Sequence, residues 1–176
     1  MSKMSSKIKF ISIFCFFVFC FFIFFQSLKE SKKYTPKALM DKKIINFKMK
    51  QLESDEIITE KDIFEINKIT LLNIWSSWCL PCREEHKYLT ELKMDTRLNM
   101  VGINYKDKKK NAQNFLSKFG NPYSLILVDD DGKNSINFGA YGVPETFIYN
   151  SKKKLIKKIV GPIDLKTFNE IKNILK

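Results

Sequence analysis

Apolar and polar positions divide this chain into one long apolar block followed by short segments of alternating or helical period. Residues 10–25 carry no charge and are dominated by phenylalanine. Extended to residues 8–28 the block is 21 residues long, close to the roughly 20 that an α-helix needs to cross a bilayer. Lys9 lies at its edge, where a lysine can snorkel to the headgroups. Residues 29–43 are polar and lysine-rich with one proline, Pro36, and read as a linker. Residues 44–49 alternate weakly and predict an edge strand, and residues 60–66 a short helix. Residues 70–75 form a continuous apolar run of strand length. Residues 81–93 predict a helix, with Glu84 and Glu85 favourably near its N-terminus and Tyr88, Leu89 and Leu92 on an apolar side. A second apolar strand follows at 99–105, then a helix at 111–119 ended by Gly120-Asn121-Pro122. Strands are predicted at 124–128 and 146–150, the latter pairing with 155–160 through a turn at Asn150-Ser151. Asp164 is placed to N-cap a last helix carrying Leu165, Phe168, Ile171 and Leu175 at helical spacing. This order is α/β with a mixed sheet, and no internal repeat is visible.

Length and composition fit one ordinary domain plus the apolar appendage: 176 residues, 44% hydrophobic. The appendage reads as an uncleaved anchor, because Phe24-Phe25-Gln26-Ser27-Leu28 offers no small-residue cleavage site. A lipoprotein signal ending at Cys20 is disfavoured by Phe19. Charge does not orient the span, since lysines flank it on both sides. The net charge of +12 does not indicate nucleic-acid binding. Half of it belongs to residues 1–40, and the rest lies in short lysine clusters without an aromatic-interleaved basic motif.

The chemistry concentrates at Trp78-Cys79-Leu80-Pro81-Cys82. Cys15 and Cys20 fall inside the apolar block and behave as small apolar residues; Cys79 and Cys82 remain for aqueous chemistry. A cysteine at the first turn of a helix meets unpaired N–H groups and the positive end of the helix dipole, which stabilise a thiolate. A second cysteine one turn later lies close enough to attack a mixed disulfide, the arrangement of a dithiol–disulfide oxidoreductase. Other readings of the pair are weaker. Zinc would need two more ligands, and His86 is the sole histidine. A structural disulfide closing so small a loop adds little, and haem attachment needs a histidine where Arg83 stands. His86 itself reads as a packed, hydrogen-bonded residue in preference to one that tunes Cys82. Asp129-Asp130-Asp131-Gly132 lacks the alternating ligands of a calcium loop and reads as a turn.

Placing C-x-x-C between the first strand and its helix is the thioredoxin arrangement. Five ordered segments make the resemblance specific: 71–79 (LLNIWSSWC), 82–86 (CREEH), 102–107 (GINYKD), 120–123 (GNPY) and 139–147 (GAYGVPETF). Over residues 44–176 the chain resembles the membrane-anchored thioredoxin-like proteins of cytochrome c maturation, the CcmG/DsbE family. That resemblance implies a thioredoxin-like domain over 44–176, after an anchor over 1–28 and a linker over 29–43. It implies a single-pass protein of the bacterial inner membrane with its redox domain in the periplasm, a disulfide-permissive compartment. It further implies that Cys79 attacks and Cys82 resolves, and that Trp78 shields the pair and offers an apolar contact. Val143-Pro144 would be a cis peptide facing the cysteines, leaving the Val143 backbone free for an extended substrate. Thioredoxins carry a buried aspartate six residues before the first cysteine; here that position is Asn73. Glu145, next to Pro144, becomes the candidate for the absent carboxylate. The implied activity is reduction of disulfides in apocytochrome c or its maturation partners before haem attachment, by a monomer recycled by a membrane thiol transporter of the CcdA or DsbD kind. No small-molecule cofactor is implied. A thiol peroxidase and a non-enzymatic apocytochrome chaperone are the competing functions.

Overall fold

The computed structural model describes residues 6–29, 46–54, 56–65 and 67–175. Of the linker expected at 29–43, residue 29 ends the first helix and the rest lies outside the described residues, as do the first two positions of the strand expected at 44–49. The chain divides into two compact units, residues 1–34 and 35–176. The first contains helix α1 (Ser6–Lys29). Its stretch Lys7–Gln26 has the length and composition of a membrane span, and the side chains described along it are exposed. That exposure is what lipid as a solvent requires.

The second unit is built on one seven-stranded sheet: β1 (Lys48–Gln51), β2 (Ile57–Thr59), β3 (Ile69–Trp75), β4 (Leu98–Tyr105), β5 (Leu125–Asp129), β6 (Glu145–Tyr149) and β7 (Leu155–Val160), in the order β2-β1-β5-β4-β3-β6-β7. β3, β4 and β5 run parallel and the other pairings are antiparallel. The helices are α2 (Leu80–Leu92), α3 (Lys109–Phe119), α4 (Lys133–Phe138) and α5 (Leu165–Ile174). β3, between β4 and β6, is buried and carries apolar residues on both faces, as a strand covered by helices does. Leu71 and Trp75 join a core with Leu89 and Leu92 of α2, Phe115 of α3 and Phe168 and Ile171 of α5. Leu72 and Ile74 join the opposite core with Val101, Ile103, Phe147 and Phe138 of α4. This is the mixed α/β sheet expected from the sequence. The last helix starts where Asp164 accepts from the Thr167 N–H at 2.7 Å.

Two local expectations need correction, and one element is added. Residues 60–66 are not helical among those described: the Asp62 carboxylate takes both the N–H and the hydroxyl of Thr59, at 2.8 and 2.7 Å, and closes a turn that drops Ile63 into the core. The first strand begins at Lys48 and is not an edge, because the short β2 pairs outside it. Helix α4 is an addition. Asp129, the last residue of β5, accepts from the Ser135 N–H at 2.7 Å and its hydroxyl at 2.6 Å. The acidic turn read at 129–132 is therefore also the cap of this helix.

Gly102 of β4 sits under two stacked aromatics. A Cβ there would lie 2.9 Å from Trp75 Nε1 and from the Tyr123 ring, whose rings stack at 5.7 Å. Gly102→Ala is expected to cost about 1–3 kcal/mol by overpacking. Urea unfolding checks this, and an unshifted midpoint would contradict it.

Candidate active site

Strand β3 ends at Trp75, and a three-residue loop, Ser76-Ser77-Trp78, delivers Cys79 to the N-cap of α2. Pro81 lies in the first turn of that helix, where its missing N–H costs nothing. The Cys82 N–H, one of the donors a helix start leaves unpaired, is given to Cys79 Sγ at 3.1 Å. Cys79 and Cys82 are joined as a disulfide. Each is almost wholly buried, 4% and 2% exposed, while Trp78 and Leu80 beside them are 58% and 62% exposed. The pair therefore lies beneath an apolar rim. On reduction, the same N–H and the helix dipole fall on the sulfur of Cys79 and favour its thiolate.

The loop before the dithiol is fastened by the segment after β4. Asp107 accepts from the Ser77 N–H (2.7 Å), the Ser77 hydroxyl (2.9 Å), Asn104 Nδ2 (3.1 Å) and the Lys108 N–H (2.8 Å). The Trp78 indole donates to the Lys106 carbonyl at 3.0 Å. One carboxylate thus sets both the end of β4 and the approach to Cys79, and the indole is held edge-on by a backbone oxygen.

Pro144 follows a cis Val143–Pro144 bond and immediately precedes β6. Ile74 near the end of β3 stands opposite Glu145 at the start of β6. The proline therefore lies at the sheet end from which the dithiol loop leaves. Val143 packs against the core cluster that contains Cys79 and Cys82. Glu145 is buried. One of its oxygens accepts from the Tyr141 and Gly142 N–H groups at 2.7 and 3.1 Å, and the other pairs with Lys158 Nζ at 2.8 Å. Its described partners thus belong to its own loop and to β7.

A second buried carboxylate, Glu85, occupies the interior of α2. From its position in the sequence it is expected, with Glu84, to be a favourable charge near a helix start. The structure puts Glu84 in solvent and Glu85 on the buried stripe with Cys82, His86, Leu89 and Leu92. That spacing was the signal available in the sequence: a carboxylate three residues after Cys82 and four before Leu89 falls on the apolar face. Glu85 Oε1 accepts from Asn73 Nδ2 at 3.0 Å, and Oε2 from the Ile163 N–H at 2.8 Å. Asn73 also donates to Thr146 Oγ1 at 3.0 Å and accepts from the Tyr123 hydroxyl at 2.7 Å. Asn73, in the strand position of the thioredoxin aspartate, thus holds a carboxylate without carrying one. Burial pushes Glu85 up to about 7, against the two hydrogen bonds that favour its charged form. Burial also raises the Tyr123 phenol, with the Glu85 charge adding to it.

His86 is packed. Its Nε2 lies 2.9 Å from the Gly120 carbonyl, its ring stands edge-on to Phe115, and burial lowers its pKa. Among the described residues there is no group of three or more histidine, cysteine, aspartate or glutamate side chains arranged for a metal ion.

A family model described as Redoxin matches residues 41–175. The thiol:disulfide interchange protein DsbE of Allochromatium vinosum is 35% identical over 146 residues, covering 83% of this chain and 80% of that protein. The thiol:disulfide interchange protein CycY of Rhizobium leguminosarum bv. viciae is 50% identical over 95 residues, covering 54% of this chain and about half, 51%, of that relative. The crystal structure of a DsbF homologue from Corynebacterium diphtheriae superposes with a TM-score of 0.64 at 25% identity, covering 80% of this chain and 95% of that one. With its thioredoxin-like sheet and a helix-capping C-x-x-C pair, the chain belongs to the DsbE/CcmG family of thiol:disulfide interchange proteins of cytochrome c maturation, and is a thiol:disulfide oxidoreductase.

Proposed function

We propose that this protein is held by α1 at the periplasmic face of a bacterial inner membrane and reduces the disulfide of apocytochrome c C-x-x-C-H segments before haem attachment. The observation that carries the reading is the cap of α2: Cys79 Sγ receives a helix-start N–H, and Cys82 stands one turn behind it. In the reduced protein the Cys79 thiolate attacks one sulfur of the substrate disulfide. A bond forms between Cys79 and that sulfur, the substrate S–S bond breaks, and the departing substrate thiolate takes a proton from water. Cys82 then loses its proton, with Glu85 as the acceptor one turn along the same helix face, and attacks Cys79 Sγ. The mixed disulfide breaks, the second substrate thiolate leaves and is protonated, and Cys79–Cys82 closes. Two electrons pass from the protein to the substrate.

Trp78 and Leu80 supply an apolar rim for the incoming segment, and Val143 beside cis-Pro144 supplies backbone hydrogen bonds to it in extended form. Recycling requires two electrons from a membrane thiol transporter of the CcdA or DsbD kind, since the periplasm is oxidising. The protein acts as a monomer.

The test is trapping. A Cys82→Ser variant expressed in the native host is expected to accumulate a mixed disulfide through Cys79 with apocytochrome c, identified by mass spectrometry and released by reductant. Adducts only with proteins outside cytochrome c maturation would refute the substrate assignment.

A further inference from the structure

Lys158 is a buried lysine on the edge strand β7. Its side chain is wholly inaccessible, whereas its neighbour Lys157 reaches out to Glu170. The ammonium makes three contacts with residues 139–145, besides lying 5.4 Å from the centre of the Phe147 ring. It pairs with Glu145 Oε2 at 2.8 Å, donates to the Gly139 carbonyl at 2.7 Å, and lies 4.3 Å from the centre of the Tyr141 ring. Glu145 in turn takes the N–H groups of Tyr141 and Gly142 on its other oxygen. Residues 139–144 have no strand or helix ladder of their own. Their outer side is open: Tyr141 is 72% exposed, and nothing approaches a Cβ built on Gly142. The inner side is tied at four points to one ion pair.

A buried ion pair is weak evidence for stability, because desolvating two charges offsets their attraction, and an apolar pair would fill the same space. What this pair does provide is geometry. It fixes a carbonyl, two N–H groups and a ring in the segment that leads into Val143 and cis-Pro144. We propose that Lys158 is a positioning residue of the reductase: acting through Glu145 and Tyr141, it holds the 139–144 loop so that Val143 is presented to an extended, disulfide-bearing peptide. Lys158 does not touch the reacting sulfurs in this role. The inference rests on the peptide-disulfide reading above, and it makes the loop a determinant of which disulfides are reduced.

The experiment compares an oxidised C-x-x-C-H peptide with oxidised mercaptoethanol, which is too small to span the loop. Wild type, Lys158→Met, Lys158→Arg, Glu145→Gln and the Lys158→Met/Glu145→Gln double variant are assayed on both, in the full-length protein. Lys158→Met is expected to raise KM for the peptide about tenfold, a cost typical of lost orientation. The loss should be larger on the peptide than on the small disulfide. Lys158→Arg should restore the ratio, and the double variant should be no worse than the worse single one, because the pair acts as a unit. If Lys158→Met does not fold, the double variant, which leaves no unpaired charge, carries the same comparison. Equal losses on both disulfides, or an unmoved peptide KM in a folded variant, would overturn the proposal alone. Wild type that reduces oxidised mercaptoethanol but not the peptide would overturn the substrate reading and this proposal together.

Discussion

Cys79→Ser is expected to lower disulfide interchange at least about a thousandfold, to the level of the uncatalysed exchange. The reason is positional as much as chemical. A serine hydroxyl at the α2 cap would still accept the residue-82 N–H, but it presents no thiolate and forms no mixed disulfide. Cys82 does not substitute in this assignment, because it stands three residues behind the cap position of α2 that Cys79 occupies, and its own N–H is directed at residue 79. The two single variants should therefore differ in kind. Cys79→Ser is inert toward disulfides, while Cys82→Ser completes the first exchange and stops. Single-turnover assays with the peptide disulfide separate them, and equal residual exchange in both would contradict the assignment of roles.

The second large effect concerns Glu85. Its pKa lies at about 7 in the folded protein, against 4.5 for an ordinary glutamate. Between those values the folded state binds more protons than the unfolded state, so this group makes stability fall as pH rises from about 4.5 to about 7. The contribution is on the order of 3 kcal/mol, at about 1.4 kcal/mol for each pKa unit. His86 acts in the opposite sense: burial lowers its pKa, so stability rises with pH until the unfolded imidazole has also lost its proton near its ordinary value of 6.5. The comparison that isolates Glu85 is therefore between wild type and Glu85→Gln. In urea unfolding of the oxidised proteins, the difference in stability should shift toward the variant across that pH interval by roughly that amount. A constant difference from pH 4.5 to 8 would show that Glu85 titrates normally. The same variant should slow resolution of the mixed disulfide, because it removes the proton acceptor proposed for Cys82.

Much of this architecture was legible in the sequence because it rests on strong local signals. The apolar run at 70–75, the helix punctuated by Gly120-Asn121-Pro122, and the Asp164 cap each depend on a few neighbouring residues, and each forms as read. The cis peptide at Val143–Pro144 is also found, as the resemblance implied. Residues 60–65 do not form the helix that their periodicity suggests, because one side chain, Asp62, bonds back to Thr59. β2 escaped notice since three residues carry no period, and only pairing with β1 makes them a strand. The carboxylates illustrate the larger difficulty. Asn73 marked the absence of the thioredoxin acid, and adjacency to Pro144 drew attention to Glu145. The structure joins Glu145 to Lys158, thirteen residues on along the hairpin, and brings Glu85 from α2 against Asn73. Both are long-range pairings, invisible to spacing except for the position of Glu85 on the buried stripe of its helix.

If Cys79 and Cys82 act as a two-electron reductant of a peptide disulfide, one count of thiols shows it. Reduced protein is mixed anaerobically with one equivalent of oxidised C-x-x-C-H peptide, quenched with acid and alkylated, and thiols on each partner are counted by mass. Two new thiols are expected on the peptide for every Cys79–Cys82 disulfide closed. Peptide that binds while both partners keep their original thiol counts would contradict it, and would identify the protein as a binding partner of apocytochrome and not its reductant.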